Sequence, residues 1–446
     1  MGFVIPSSKS KLYLSGTDWV INTLDYTMKA STCAGNMSQI VLVMDAQLDE
    51  GDLRQRLGDF LRKFPVLQGV VCRDINLTPY WRLPDKLTSD IKLSVYQIQE
   101  KPSLDEALLL LEKAVNSPFL SSNEHLVFHL IQRGKKDSIF SMIFDHRLFD
   151  ARGAENFLGL FLKYISGADL EPILQGLQLI APADLSGWMQ KFYSGRNVNR
   201  KMIALSKPAF EILPLPEEKD RGFKFHLISF DSEETTKIYE AAYSQAGYLM
   251  EMPYLLSVVI QVVHQLFKEK GTETDNYVVP VTVDMRTGED ITQELFMNHV
   301  SYLFFKVPAE ETEDLKKVMK TVKGQMYEQV KAGLPKDLSA ASALLRIASL
   351  SFLAKVFRLP MGGKVGSFFF SYLGKGLGQY SGCMGPKIIN IFHTPRVPVP
   401  PGLGVFFNAF DGQLNLVISY LEGILTEAEV LLLEKNIKGR LGRPYT

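Results

Sequence analysis

Short apolar runs alternate along this chain with longer stretches whose apolar residues recur three and four apart. Gln39 to Met44 is continuous and β-branched, which predicts a strand. Asp49 and Asp52 follow, and Leu53, Leu57, Phe60 and Leu61 then fall at helical spacing in a stretch ending at Phe64. Gly69 to Cys72 and Tyr80 to Leu83 read as paired strands, and Leu104 to Val115 as a second helix. Leu126 to Gln132 and Ile139 to Phe144 flank the polar turn Arg133-Gly134-Lys135-Lys136-Asp137, so they predict a hairpin. Its second arm runs through Asp145 into His146-Arg147-Leu148-Phe149-Asp150, just before a helix over Ala154 to Ile165.

Gly167 to Asp220 has a different texture. Pro172, Pro182, Pro208, Pro214 and Pro216 interrupt it, which suits a crossover that is helical near Trp188. Phe223 to Phe230 predicts a strand, Asp231-Ser232-Glu233-Glu234 caps a helix through Ala242, and Tyr254 to Phe267 predicts another. Strands are predicted at Tyr277 to Val283 and Tyr302 to Val307, then helices at Leu315 to Val330 and Ser339 to Phe357. Four short strands follow at Ser367 to Tyr372, Ile388 to Phe392, Gly404 to Asn408 and Leu414 to Tyr420, and Thr426 to Ile437 closes as a helix. Both halves open with strand, acidic cap and helix, yet share little residue identity. The pattern predicts an α/β fold of two lobes, each a mixed sheet with helices, with a ligand site in the cleft between them.

Composition narrows this picture. The 446 residues allow two to three domains, and 46% hydrophobic with 22% charged residues is ordinary for a globular chain. Lys plus Arg equals Asp plus Glu at 49 each, so no electrostatic footprint for nucleic acid is present. Cys33, Cys72 and Cys383 are scattered and odd in number, which reads as a reducing compartment without a disulfide framework. Met1 to Ser10 holds no apolar core of signal length, and Pro6 stands where a myristoylation site needs Ser or Thr. A cytoplasmic location without a transmembrane segment is expected; Leu350 to Leu359 is broken by Lys355 and Arg358 and reads as amphipathic helix. The 17 Tyr and 28 Phe read chiefly as core.

The candidate chemistry sits at the strand-to-helix junction, where His146 and Asp150 are four apart and Gly153 follows. Histidine can take and return a proton near neutral pH, and a nearby carboxylate can orient it or fix its loop. Spacing alone leaves open a loop histidine with a structural role. His125, His129, His226, His264, His299 and His393 show no ligand spacing with Cys or carboxylate, so no metal site is expected. Gly374-Lys375-Gly376-Leu377-Gly378 lacks the strand-to-helix context of a phosphate loop and reads as a strand connection. No Gly-x-Ser-x-Gly elbow offers a nucleophile.

Phe144-Asp145-His146-Arg147-Leu148-Phe149-Asp150-Ala151 resembles the His-His-x-x-x-Asp-Gly motif of the CoA- and carrier-dependent acyltransferases. That superfamily includes chloramphenicol acetyltransferase, condensation domains, wax ester synthases and plant alcohol acyltransferases. Leu14-Ser15-Gly16-Thr17-Asp18 is similar to its Leu-Ser-x-x-Asp, Phe64-Pro65-Val66-Leu67 to its Phe-Pro-x-Leu, and Val283-Asp284-Met285-Arg286 to its Val-Asp-x-Arg. Met297-Asn298 sits where the family often has Gly-Asn, and Phe370-Ser371-Tyr372-Leu373-Gly374 resembles Phe-Asn-Tyr-Leu-Gly. The matches span nearly the whole chain. Asp145 departs from the motif's first His, Ala151 from its Gly, and the Asp-Phe-Gly-Trp-Gly signature of the plant enzymes is absent.

The resemblance implies two chloramphenicol-acetyltransferase-like lobes meeting at a central channel. The divisions expected are residues 1–175 for the first lobe, 176–222 for a linker and 223–446 for the second, with a crossover onto the first lobe near Phe392 to Gly404. It implies direct transfer of an acyl group from an acyl-CoA, or from the phosphopantetheine of an acyl carrier protein, to a hydroxyl. His146 would be the general base and no cofactor would be permanently bound. Asp150 is expected to pair with Arg286 and hold the loop, or else to cap the helix. Asp145 is expected to be a loop anchor, with a second acid as the alternative. Asn298 would line the channel or serve a turn, and Ser371 would line the channel. The acceptor would be a small-molecule or lipid alcohol or amine. Amide formation on carrier-bound substrates and a non-catalytic binding or scaffold role are the rival readings.

Overall fold

The computed structural model describes residues 11–86, 92–99, 104–171, 187–286, 294–357, 361–377, 382 and 384–442. The strands of the first half are β1 (Lys11–Tyr13), β2 (Met37–Met44), β3 (Val70–Arg73), β4 (Pro79–Arg82), β5 (Leu93–Ile98), β6 (Leu126–Arg133) and β7 (Asp137–Asp145). Those of the second are β8 (Phe223–Phe230), β9 (Asn276–Asp284), β10 (Val300–Pro308), β11 (Phe369–Lys375), β12 (Ile388–His393), β13 (Leu403–Phe410) and β14 (Gln413–Leu421). They form a five-stranded sheet β12-β2-β7-β6-β5, a six-stranded sheet β10-β9-β11-β13-β14-β8, and a small sheet β1-β4-β3. Both large sheets are mixed: β5 runs parallel to β6, and β11 runs parallel to β9 and β13.

β2 shows why the first sheet lies at a centre rather than a surface. All eight of its residues are buried. Ile40, Leu42 and Met44 point to the helices Glu50–Leu61 and Ala151–Ile165, whereas Val41 and Val43 point to the helix Asp105–Val115. The period of two along the strand thus feeds two cores. On the first side Phe60 packs tilted at 5.0 to 5.2 Å between ring centroids against Phe64, Phe157 and Phe161, each ring contributing about 1.5–3 kcal/mol of burial.

The second sheet presses one face onto the buried helix Glu251–Glu269 and its neighbours. Its other face, at Val278 and Phe304, meets the helices Trp188–Leu205 and Leu334–Ser342. The helix Leu334–Ser342 also closes on the helix Gly16–Lys29, where a Cβ on Gly16 would run into the backbone of Ser342. Only glycine permits that approach. Among the described residues, no single helix is long and apolar enough to cross a membrane.

β12 comes from the second half of the chain yet pairs antiparallel with β2 of the first sheet. The crossover is therefore the whole strand Ile388–His393, followed by the return into β13. Four elements depart from expectation. The helix foreseen over Ser339 to Phe357 is split into Leu334–Ser342, a 3₁₀ turn Ala343–Leu345, and Leu350–Val356, because Ser349 turns its hydroxyl back onto Phe352 N as a new N-cap. The helix Gly16–Lys29 and the strands β1 and β5 are additional to the pattern. Pro172, Pro182, Arg358, Gly378 and Cys383 lie outside the described residues.

Candidate active site

β7 ends at Asp145 and the helix Ala151–Ile165 starts six residues on, with Asp150 as its N-cap. His146 sits on the connection, and its backbone N–H donates to Asn36 O at 2.9 Å. On the other side Phe149 bridges Met297, whose N–H donates to Leu148 O at 2.7 Å. The loop is therefore held at once by the first sheet and by the stretch leading into β10 of the second. His146 is half-buried at that junction.

Asn298 fixes the histidine ring. Its Oδ1 lies 3.1 Å from His146 Nδ1, while its Nδ2 donates to His146 O at 3.0 Å and reaches Asp18 Oδ1 at 3.4 Å. A carbonyl and a carboxylate can only accept, so the amide nitrogen faces them and the amide oxygen faces the ring. Nδ1 of a neutral imidazole is then the protonated nitrogen, and the lone pair is on Nε2. Asp18 holds Asn298 in turn, accepting from Asn298 N at 2.9 Å. Its other oxygen takes Ser15 N at 2.8 Å and Ser15 Oγ at 2.6 Å in the capping box of the helix Gly16–Lys29. Burial pushes the Asp18 carboxyl above the ordinary carboxylate range, against the pull of the bonds from Ser15 and Asn298.

Asp150 is both cap and bridge, so the two alternatives hold together. Gly153 N donates to Oδ1 at 2.7 Å, and Arg286 Nη2 lies 2.9 Å from Oδ1 and 3.0 Å from Oδ2. His299 N donates to Oδ2 at 2.8 Å. Arg286 is held from behind by Asp284 Oδ1 at 3.1 Å and Glu294 O at 3.2 Å. The cation lies two residues past the end of β9, so the bond ties the second sheet to the histidine loop. The side chain of Asp150 is turned to this bridge rather than toward His146. Tyr302, on β10, has its phenol pushed up to about 12 by burial and the Asp150 charge.

Asp145 is an anchor. It accepts from Arg147 N at 2.9 Å and from Arg147 Nε at 2.9 and 3.0 Å, and it lies 3.0 Å from His125 Nδ1. Burial raises its carboxyl, but Arg147 and the His125 bond outweigh that and hold it well below the ordinary range. His125 completes the network by facing Gly69 O at 2.8 Å through Nε2. A side chain only 2% exposed and committed to these partners is not placed to be a second acid.

Ser371 is on β11, 3.1 Å from Thr282 Oγ1 of β9, and so belongs to the second sheet's contribution. Among the described residues no group of three metal-ligating side chains occurs. His125 and His129 serve different neighbours, Asp145 for the first and the Tyr96 ring for the second. Spacing along the chain missed Asp18, Asn36, His125 and Arg147 as parts of this site. The Leu-Ser-x-x-Asp likeness at Leu14 to Asp18 was the one readable signal. Gly153 carries the steric constraint at the helix start: a Cβ there would lie 2.6 Å from Leu295 O and 3.1 Å from Arg286 Nη2. Gly153 is thus a position with no room for a side chain.

No family model matches the chain, and no curated protein matches it by sequence. Its fold is the two-lobed one of an acetyltransferase and of condensation domains. A trichothecene 15-O-acetyltransferase from Fusarium sporotrichioides superposes with a TM-score of 0.69 at 13% identity, covering 98% of this chain and 97% of its own. The first condensation domain of the calcium-dependent antibiotic synthetase, in complex with a substrate analogue, gives 0.66 at 13% identity over 98% and 96%. An NRPS cyclization-docking bidomain from Sorangium cellulosum gives 0.67 at 11% identity over 99% and 86%.

Proposed function

We propose that this chain is a cytoplasmic acyltransferase. It would move an acyl group from an acyl-CoA or acyl-carrier-protein thioester to a hydroxyl, with both substrates bound together. The observation that carries the reading is His146 held by Asn298 in the tautomer that leaves Nε2 basic. In this reading Nε2 takes the proton of the acceptor hydroxyl as its oxygen attacks the thioester carbonyl. The same proton then passes to the departing thiolate as the carbonyl re-forms. Asp150 and Arg286 keep the loop in place without touching the reacting atoms, and Asp145 with Arg147 anchors its start. Asn298 and Ser371 would line the substrate channel. An already activated thioester makes a covalent acyl-enzyme unnecessary.

The acetyltransferase likeness favours an oxygen acceptor, small or lipid. The condensation-domain likenesses favour amide formation on carrier-bound substrates as the second reading. The test is thiol release from a panel of acyl-CoA and acyl-pantetheine thioesters offered with alcohols and amines. With an active pair, initial rates should give intersecting double-reciprocal lines. His146→Ala should lower kcat by about 10²- to 10⁴-fold while leaving the melting temperature nearly unchanged. Parallel lines, or a His146→Ala protein with native kcat, would remove the mechanism. An active amine with no active alcohol would select the second reading.

A further inference from the structure

The helix Trp188–Leu205 carries two apolar faces, and the described residues pack against only one of them. Val198, Met202 and Leu205 belong to the cluster with Phe210, Val278, Phe304 and Leu334. On the same side Ser194 Oγ donates to Asp337 Oδ1 at 2.6 Å. On the other side Trp188 is 44% exposed, Met189 71%, Phe192 64%, Tyr193 60% and Ile203 47%. At 3.6 residues per turn these five fall in one arc of roughly 140°, and Arg196 and Arg200 fall inside that arc. Isolated exposed apolar residues are ordinary on a protein surface, but five on one arc of one helix are not.

Charge decides what fits. The helix bears Lys191, Arg196, Arg200 and Lys201 and no Asp or Glu. The whole chain is neutral, with 49 cationic and 49 anionic side chains, so this is a local excess. Tryptophan and tyrosine beside arginines, with no acid, is the composition of a helix lying in the headgroup region of a lipid surface. An acidic protein face would match the cations but leave Met189, Phe192 and Ile203 without an apolar bed. We infer that the outer face of Trp188–Leu205 is a peripheral binding site for an anionic lipid surface. It is independent of the acyl-transfer chemistry.

The experiment is co-sedimentation of the full chain with vesicles of phosphatidylcholine, alone or mixed with phosphatidylserine. The protein should partition onto the mixed vesicles and less onto the neutral ones, and added salt should weaken that binding. Arg196→Ala/Arg200→Ala should reduce partitioning by about 30-fold, and Trp188→Ala/Phe192→Ala by about tenfold or more. Both variants change exposed side chains, and unaltered circular dichroism and melting would show intact folds. Absence of vesicle binding overturns the inference, as does equal binding to both vesicle types or binding unmoved by both variants. Light scattering supplies the remaining arm: a dimer dissolved by Trp188→Ala/Phe192→Ala, without vesicle binding, would make the face a contact between copies instead.

Discussion

Replacing Asp150 by alanine removes the acceptor of four hydrogen bonds at once: one from Gly153 N, two from Arg286 Nη2 and one from His299 N. The Asp150 side chain is 1% exposed and that of Arg286 7%, so water screens the pair little. Breaking a buried ion pair by removing one partner costs about 3–5 kcal/mol. Arg286 keeps Asp284 and the Glu294 carbonyl, which places its part near the low end. The lost cap and the two orphaned N–H groups add about 1 kcal/mol or more. A total near 4 kcal/mol follows for Asp150→Ala, and about half of that for Asp150→Asn, which retains a cap oxygen. Urea unfolding followed by tryptophan fluorescence reads this as a lower midpoint. A cycle with Arg286→Met should show a coupling of about 2 kcal/mol. Activity should fall with stability, since the same bond sets the histidine loop. If Asp150→Ala lies within about 1 kcal/mol of the parent, or the cycle is additive, the bridge does not hold the loop.

Asn298→Leu leaves His146 without its Nδ1 acceptor, so kcat should drop on the order of tenfold to a hundredfold with a smaller change in KM; unaltered ¹⁵N shifts of the His146 ring would refute the tautomer assignment. Asp145→His creates two adjacent histidines but takes the buried carboxylate from Arg147. Asp25, 3.6 Å from Arg147, compensates in part, so a loss of about 3 kcal/mol is expected. A gain in activity at unchanged melting temperature would contradict the anchor. His129 is lowered from 6.5 to about 4 by burial and, secondarily, by Lys92. The unfolded chain therefore binds the extra proton between those values, and stability is lost as pH falls through that window, by up to about 3 kcal/mol. His129→Phe should flatten the fall in melting temperature between pH 6.5 and 4, and an unchanged slope would mean that another group titrates.

The parts of the site that are contiguous in sequence were legible, and the parts that meet only in space were not. His146 and Asp150 flank one loop between a continuous apolar strand and a periodic helix, so both could be read from pattern. The Asp18–Asn298–His146 chain joins three distant segments, and spacing carries no trace of it. Motif likeness alone brought Asp18, Asn298 and Arg286 forward. The helix Gly16–Lys29 escaped because its buried face includes Asn22, Thr23 and Asp25. Asn22 Nδ2 donates to Asp18 O and Thr23 Oγ1 to Trp19 O, so polar groups satisfied by the helix itself hide the apolar period. β5 escaped because an edge strand keeps Ser94, Tyr96 and Gln97 where an interior strand would carry apolar residues. Ser349 divided a long helical pattern because its hydroxyl competes for backbone, which apolar spacing does not register.

β12 also gives the chain an order of birth. During synthesis β2 and β7 leave the ribosome long before their sheet can be completed, because the edge partner of β2 lies roughly 240 residues beyond β7. At about 5–20 residues per second that is a delay on the order of ten seconds or more. Throughout it β2, an eight-residue strand rich in apolar residues, has one ladder side open to any other chain that offers a strand. A ribosome halted before Ile388 should hold a first half that is compact yet sticky, drawing in holdase chaperones. Release of the completed chain should let that capture lapse. The halves of this protein are consequently not modules that evolution or an engineer could exchange at the linker, since the later half closes the earlier one.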